Sequence, residues 1–145
     1  MKHFISKSPS ETFKIGYKIG KSLNKPQVLA LIGELGAGKT CIIKGIAKGF
    51  GVKEIITSPT FIIMKVYNGR LPLYHFDLYR IKNINELFNI GYEEYFYSDG
   101  ICVVEWADKA ENLLPDNTII IKLKYINSNT REIIIAKVDK SATTN

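Results

Sequence analysis

Eight consecutive residues, Gly33-Glu34-Leu35-Gly36-Ala37-Gly38-Lys39-Thr40, have the composition of a loop that wraps phosphate. Glycines let the chain turn tightly enough to aim backbone N–H groups at phosphate oxygens. Lys39 brings a mobile cation and Thr40 a hydroxyl able to ligate Mg2+. The eight-residue pattern arises by chance often enough that its flanks must carry the reading. Gln27 to Ile32 is a short continuous apolar run and predicts a buried strand. Thr40 to Phe50 has apolar residues at helical spacing until Gly49 and Gly51 end it. Strand, loop and helix fall in the order a phosphate site requires, so nucleotide binding is the leading reading.

Such a loop needs an acid to hold Mg2+, directly or through water, at the end of a neighbouring apolar strand. Two runs supply one: Leu73-Tyr74-His75-Phe76-Asp77 and Ile101-Cys102-Val103-Val104-Glu105. The second is uninterrupted and apolar, as expected for a strand buried on both faces beside the first strand, which favours Glu105 for the metal. Asp77 follows a hairpin signal and fits a carboxylate that orients or activates water, or supports the metal from behind. On sequence grounds the two roles are interchangeable. His75, alone in an aromatic and apolar strand, reads as a satisfied structural residue outside the catalytic set. Trp106 either steadies the loop beside the phosphates or packs in the core.

These groups need a frame. Ser8-Pro9-Ser10-Glu11 has the form of a helix start, with Ser8 as cap, and the helix should run to about Leu23 before Asn24-Lys25-Pro26 break it. Thr57-Ser58-Pro59-Thr60 reads as a functional loop or the lead-in to a strand. Phe61 to Tyr67 and Arg70 to Leu78 predict an antiparallel hairpin turning on Asn68-Gly69 with positive φ angles. Ile84 to Tyr97 predicts one or two short helices divided near Gly91. Asn117 to Ile126 and Arg131 to Val138 predict a closing hairpin, and residues 140–145 a loose tail. The expected fold is α/β, a three-layer arrangement of the P-loop NTPase type: a central mixed sheet with parallel core strands and flanking antiparallel hairpins.

The length of 145 residues suits one domain spanning residues 1–145. No apolar run reaches membrane-spanning length and the first residues lack a signal-peptide core, so a soluble, cytoplasmic protein is expected. Cys41 and Cys102 show no metal or disulfide spacing and read as small core residues. The net charge of +6 would suit an acidic partner, but the lysines are dispersed. A small-molecule kinase would need an arginine-bearing lid that the chain lacks, and a guanine-specific switch would need an N-K-x-D segment after the loop.

The ordered set GELGAGKT, SPTF (Ser58–Phe61), HFDLYR (His75–Arg80), GYEEYF (Gly91–Phe96) and VEW (Val104–Trp106) resembles the bacterial TsaE family, also called YjeE, from Ser8 to Val138. The resemblance implies a small P-loop ATPase, with weak or partner-dependent hydrolysis, that assists threonylcarbamoyl modification of adenosine 37 in tRNAs reading codons that begin with A. It implies ATP and Mg2+ as cofactors and TsaD-like and TsaB-like proteins as partners, the first carrying out the transfer. The tRNA would be reached indirectly through that complex, with neither DNA nor membrane involved. The nucleotide would be bound by Glu34, Leu35, Gly36, Ala37, Gly38, Lys39, Thr40 and Cys41, with Pro9, Thr12 and Arg131 nearby. Thr40 and Glu105 would hold Mg2+, and Lys39, Asp77 and Glu105 would form the catalytic set. Ser58, Thr60 and Trp106 are expected to couple nucleotide state to a partner.

Overall fold

The computed structural model describes residues 1–34, 36–57 and 63–138. Its strands are β1 (Lys2–Ser6), β2 (Gln27–Ile32), β3 (Met64–Asn68), β4 (Pro72–Asp77), β5 (Ile101–Glu105), β6 (Ile119–Tyr125) and β7 (Arg131–Lys137). Its helices are α1 (Pro9–Ser22), α2 (Lys39–Gly49), α3 (Asn85–Asn89) and α4 (Tyr92–Phe96), and a 3-10 segment covers Ala107–Leu113. The strands form one sheet in the order β1-β7-β6-β2-β5-β4-β3. β2 is parallel to both β5 and β6, and β4 is parallel to β5. Each antiparallel hairpin therefore lends its inner strand, β4 or β6, to the parallel core and leaves only its outer strand as a flank. The strand over Lys2–Ser6, which pairs antiparallel with β7, has no counterpart in the sequence reading. Its first four residues are exposed, so it carries no buried alternation to read.

Period-two alternation sorts the side chains into two cores. Leu29, Leu31, Leu73, Ile101 and Val103 pack under α1 and α2. Val28, Ala30, Phe76, Cys102 and Val104 pack against Leu87 of α3, Tyr92 and Phe96 of α4, and Ala107 and Ala110 of the 3-10 segment. Three layers result, and β5, with all five residues buried, lies inside the sheet between β2 and β4. By the same parity Asp77 and Glu105, two and four residues beyond His75 and Ile101, face the α2 side. Gly91, at φ 71°, separates α3 from α4.

The closest helix contact is between α1 and α2. A β-carbon on Gly16 or Gly20 would strike the carbonyl oxygen of Ile42 or Ile46, and one on Gly45 or Gly49 would strike that of Phe13 or Tyr17. These contacts advance together along both helices, so α1 and α2 run in the same direction and present both N-termini at one end. At the other end the Arg70 guanidinium donates to the carbonyls of Gly20 in α1 (2.8 Å), of Leu23 just after it (2.6 Å), and of Gly49 in α2 (3.0 Å).

Arg70 belongs to the β3–β4 turn, which departs from expectation. Asn68 is still paired with Pro72, so the loop is Gly69-Arg70-Leu71, and neither Asn68 nor Gly69 has a positive φ. Gly69 is needed for closeness instead: a β-carbon there would lie 2.8 Å from the Phe50 ring and from the Phe50 carbonyl oxygen.

Candidate functional site

Gly33 to Gly38 connect the C-terminal end of β2 to α2. Gly36 and Gly38 adopt φ 79° and 98°, which L side chains rarely do. Gly38 is the N-cap of α2, and among the described residues no side chain caps that helix. The first turn of α2 thus keeps N–H groups for an outside acceptor, reinforced by the positive end of the helix dipole. The neighbouring α1 differs. Ser8 Oγ accepts from Glu11 N (3.1 Å), and Glu11 Oε2 accepts from the N–H of Lys7, one residue before the cap (2.7 Å).

A cleft of about 370 Å3 opens over α2, lined by Gly36, Gly38, Lys39, Thr40, Cys41, Asp77, Tyr79, Glu105 and Trp106. Asp77 and Glu105 are register partners on adjacent parallel strands, so strand pairing brings two carboxylates to one edge. Lys39 is buried; its ammonium donates to the Gly33 carbonyl and sits 3.2 Å from the Trp106 ring centroid. Burial pulls the Lys39 pKa below the usual lysine range, and the charges of Glu105, Asp108 and Asp77 oppose that shift. Burial likewise raises the Asp77 carboxyl above the usual carboxylate range. The hydrogen bond to its Oδ1 from Tyr79 N (3.0 Å) works against the rise and the Glu105 charge adds to it. Trp106 has φ 56°, an uncommon conformation for a bulky residue. Its ring lies 5.0 Å from that of Tyr79.

A smaller hollow of about 60 Å3 adjoins the cleft through Gly38 and Cys41, lined also by Ser8, Pro9, Thr12, Ser128, Asn129 and Arg131. The parallel packing of α1 on α2 brings Pro9 and Thr12 here. The Thr12 hydroxyl is occupied internally, 2.7 Å from Ser6 Oγ. Arg131 Nε donates to the Gly36 carbonyl at 3.1 Å, tying β7 to the glycine loop. Cys41 is half-buried and its thiol meets the Pro9 carbonyl at 3.0 Å, which corrects its reading as a core residue: it lies against the start of α1. Cys102 is buried as expected.

Of the remaining expected positions, Ala37 is buried beneath the loop, whereas Glu34 and Thr40 are exposed. Leu35, Ser58, Thr60, Phe61 and the 140–145 tail lie outside the described residues. The carbonyl of Ile63, the first described residue after that segment, accepts from Asp77 N at 2.8 Å. The sequence reading passed over Tyr79, Ser128 and Asn129, and it dismissed His75. His75 Nε2 lies 2.7 Å from Glu105 Oε2, whereas among the described residues the buried His75 Nδ1 has no partner. The available signal was parity, since His75 is two residues before Asp77 and shares its face.

The parallel strand core, the glycine loop at the end of β2 and the uncapped helix after it define the P-loop class of α/β proteins. Comparison with known proteins narrows the class. The profile of the family described as "Threonylcarbamoyl adenosine biosynthesis protein TsaE" matches residues 6–133, and the chain belongs to that family. It is 43% identical over 132 residues to the tRNA threonylcarbamoyladenosine biosynthesis protein TsaE of Treponema pallidum (strain Nichols), covering 91% of this chain and 98% of that one. It is 45% identical over 133 residues to the TsaE of Bacillus subtilis (strain 168), covering 90% of this chain and 82% of the relative. The crystal structure of Bacillus subtilis YdiB superposes with a TM-score of 0.79 at 38% identity, covering 97% of this chain and 87% of that one.

Proposed function

We propose that this protein binds ATP with Mg2+ at the glycine loop, hydrolyses it, and so supports threonylcarbamoyladenosine formation on tRNA together with TsaD-like and TsaB-like proteins. The observation carrying the nucleotide reading is one juxtaposition: the open N-terminus of α2, Lys39, and two carboxylates in register on adjacent strands, all lining one cleft. The tRNA pathway rests on family membership. The donors suit magnesium. Among the described residues no group of three or more His, Cys, Asp or Glu side chains forms an all-protein metal cage. Mg2+ is commonly held by one or two protein oxygens together with substrate phosphates and water.

In this reading the N–H groups of Gly36 to Cys41 and the Lys39 ammonium hold phosphate oxygens, while Thr40 Oγ1 and the Glu105 carboxylate hold Mg2+. Bound Mg2+ would neutralise charge on the phosphate oxygens. Asp77, whose carboxyl binds its proton more readily than an exposed one, orients water and accepts its proton. The hollow beside Pro9, Thr12 and Arg131 receives another part of the nucleotide. Lys39 rests on Trp106, so drawing the ammonium toward phosphate uncovers that ring. This gives Trp106 a contact that depends on nucleotide state, and the Ser58–Thr60 segment enters the same role on sequence grounds.

The deciding experiment is multiple-turnover modification of tRNA by the two partner proteins with ATP and either wild type or Asp77→Asn. Asp77→Asn should bind ATP normally, hydrolyse it about a hundredfold more slowly, and fail to sustain turnover. Full modification by Asp77→Asn over many cycles would overturn the hydrolytic role.

A further inference from the structure

The pair formed by His75 and Glu105 is a deeply buried polar contact at the cleft, with the residues 1% and 4% exposed. It arises from register. His75 is opposite Val103 and Asp77 is opposite Glu105, so His75 and Glu105 are diagonal neighbours on one face of β4 and β5. The Nε2–H of the imidazole donates to Glu105 Oε2 at 2.7 Å, and among the described residues the buried Nδ1 has no partner. An unsatisfied buried polar atom costs about 1–3 kcal/mol, and an apolar residue would avoid that cost at this position. Packing therefore does not explain the imidazole; its contact with Glu105 does.

We infer that His75 is the positioning residue for Glu105: by holding Oε2 it fixes the carboxylate plane and leaves Oε1 as the oxygen presented to Mg2+. The inference rests on the reading of Glu105 as a magnesium ligand. A glutamate side chain has several rotatable bonds, and one anchored oxygen removes most of the alternatives that would turn the other from the cleft. Outer hydrogen bonds of this kind commonly change metal affinity by about ten- to hundredfold when removed. Among the described residues Asp77 has no such anchor on its second oxygen; its Oδ1 bonds the N–H of Tyr79 in the loop that follows β4. The two carboxylates thus differ in what holds them although their strands place them side by side.

The test uses ATPγS as the probe and measures its affinity in EDTA and across a Mg2+ titration, together with thermal unfolding. For His75→Leu the Mg2+ concentration giving half of the affinity gain should rise by about ten- to hundredfold, with the EDTA affinity within twofold of wild type. His75→Gln carries an amide N–H that can replace Nε2–H and should return the Mg2+ midpoint to within about threefold, whereas the shorter His75→Asn should not. If His75→Leu does not fold, the Gln and Asn pair decides. Equal Mg2+ midpoints in those two variants, or a wild-type midpoint in His75→Leu, overturn the inference. Glu105→Gln separates this failure from a deeper one. If Glu105→Gln abolishes the Mg2+ effect while His75→Leu keeps it, only the role of His75 falls. If Glu105→Gln also keeps it, the metal-ligand reading falls and the inference with it.

Discussion

The two ends of the α1–α2 pair are finished in opposite ways. At the C-terminal end the orphan carbonyls of both helices converge on Arg70, whose planar guanidinium bonds Gly20, Leu23 and Gly49 at once while stacking 4.9 Å from the Phe50 ring. At the N-terminal end α1 is capped by the Ser8 hydroxyl and held to Lys7 by Glu11, but α2 begins at Gly38 with no side-chain cap among the described residues. One end has its hydrogen bonds met within the chain, and the other keeps donors for something else. Stability is concentrated where the polar groups are paired, and binding capacity where they are not.

That contrast can be broken in four ways. The largest effect is expected where the helices touch. Gly20→Ala would drive a methyl group into the Ile46 carbonyl and should cost about 3 kcal/mol in urea unfolding. A loss below about 0.5 kcal/mol would show that the helices separate freely. Next, Lys39→Ala should weaken ATP binding about a hundredfold, the scale of two charge-assisted hydrogen bonds. It should leave thermal stability unchanged or raised, because it removes an ammonium that burial disfavours. A calorimetric binding curve matching wild type would remove the loop from nucleotide recognition.

Arg70→Ala should act in the opposite sense, costing about 1–2 kcal/mol of stability while nucleotide affinity stays within twofold. A large affinity loss would mean that the clamp sets the geometry of the far end. The smallest effect concerns pH. Asp77 keeps its proton to higher pH in the native protein than in the unfolded chain. Its contribution therefore favours the fold most below the unfolded-chain carboxylate pKa and declines as pH rises through the raised native value. Asp77→Asn should match or exceed wild type in stability at pH 7, with the difference shrinking as pH falls into the carboxylate range. A stability loss at pH 7 that disappears in acid would reverse the sign.

Much of the candidate site was legible because its parts are local. The loop from Gly33 to Thr40, the Ser8 cap and the continuous run Ile101–Glu105 announce themselves through turn chemistry and periodicity within a few residues. The Asn68-Gly69 turn shows the limit of such reasoning. The dipeptide marks the hairpin correctly, but the backbone solution answers to Phe50, which packs on Gly69 from far away in the chain. β1 was illegible for a related reason: an edge strand with both faces exposed has no hydrophobic alternation.

By itself, then, the sequence determined which segments could be strand, loop or helix and which residues could bind phosphate or metal, because those properties arise from backbone preference and side-chain type over short spans. Only the tertiary structure decided that Asp77 and Glu105 are neighbours, that Arg70 closes helices 50 and 21 positions away, and that His75 reaches a carboxylate 30 positions on. Strand order and register made those choices. A shift of one residue in β4 would turn His75 and Asp77 to the opposite face, and no periodicity within a strand specifies which strand lies beside it.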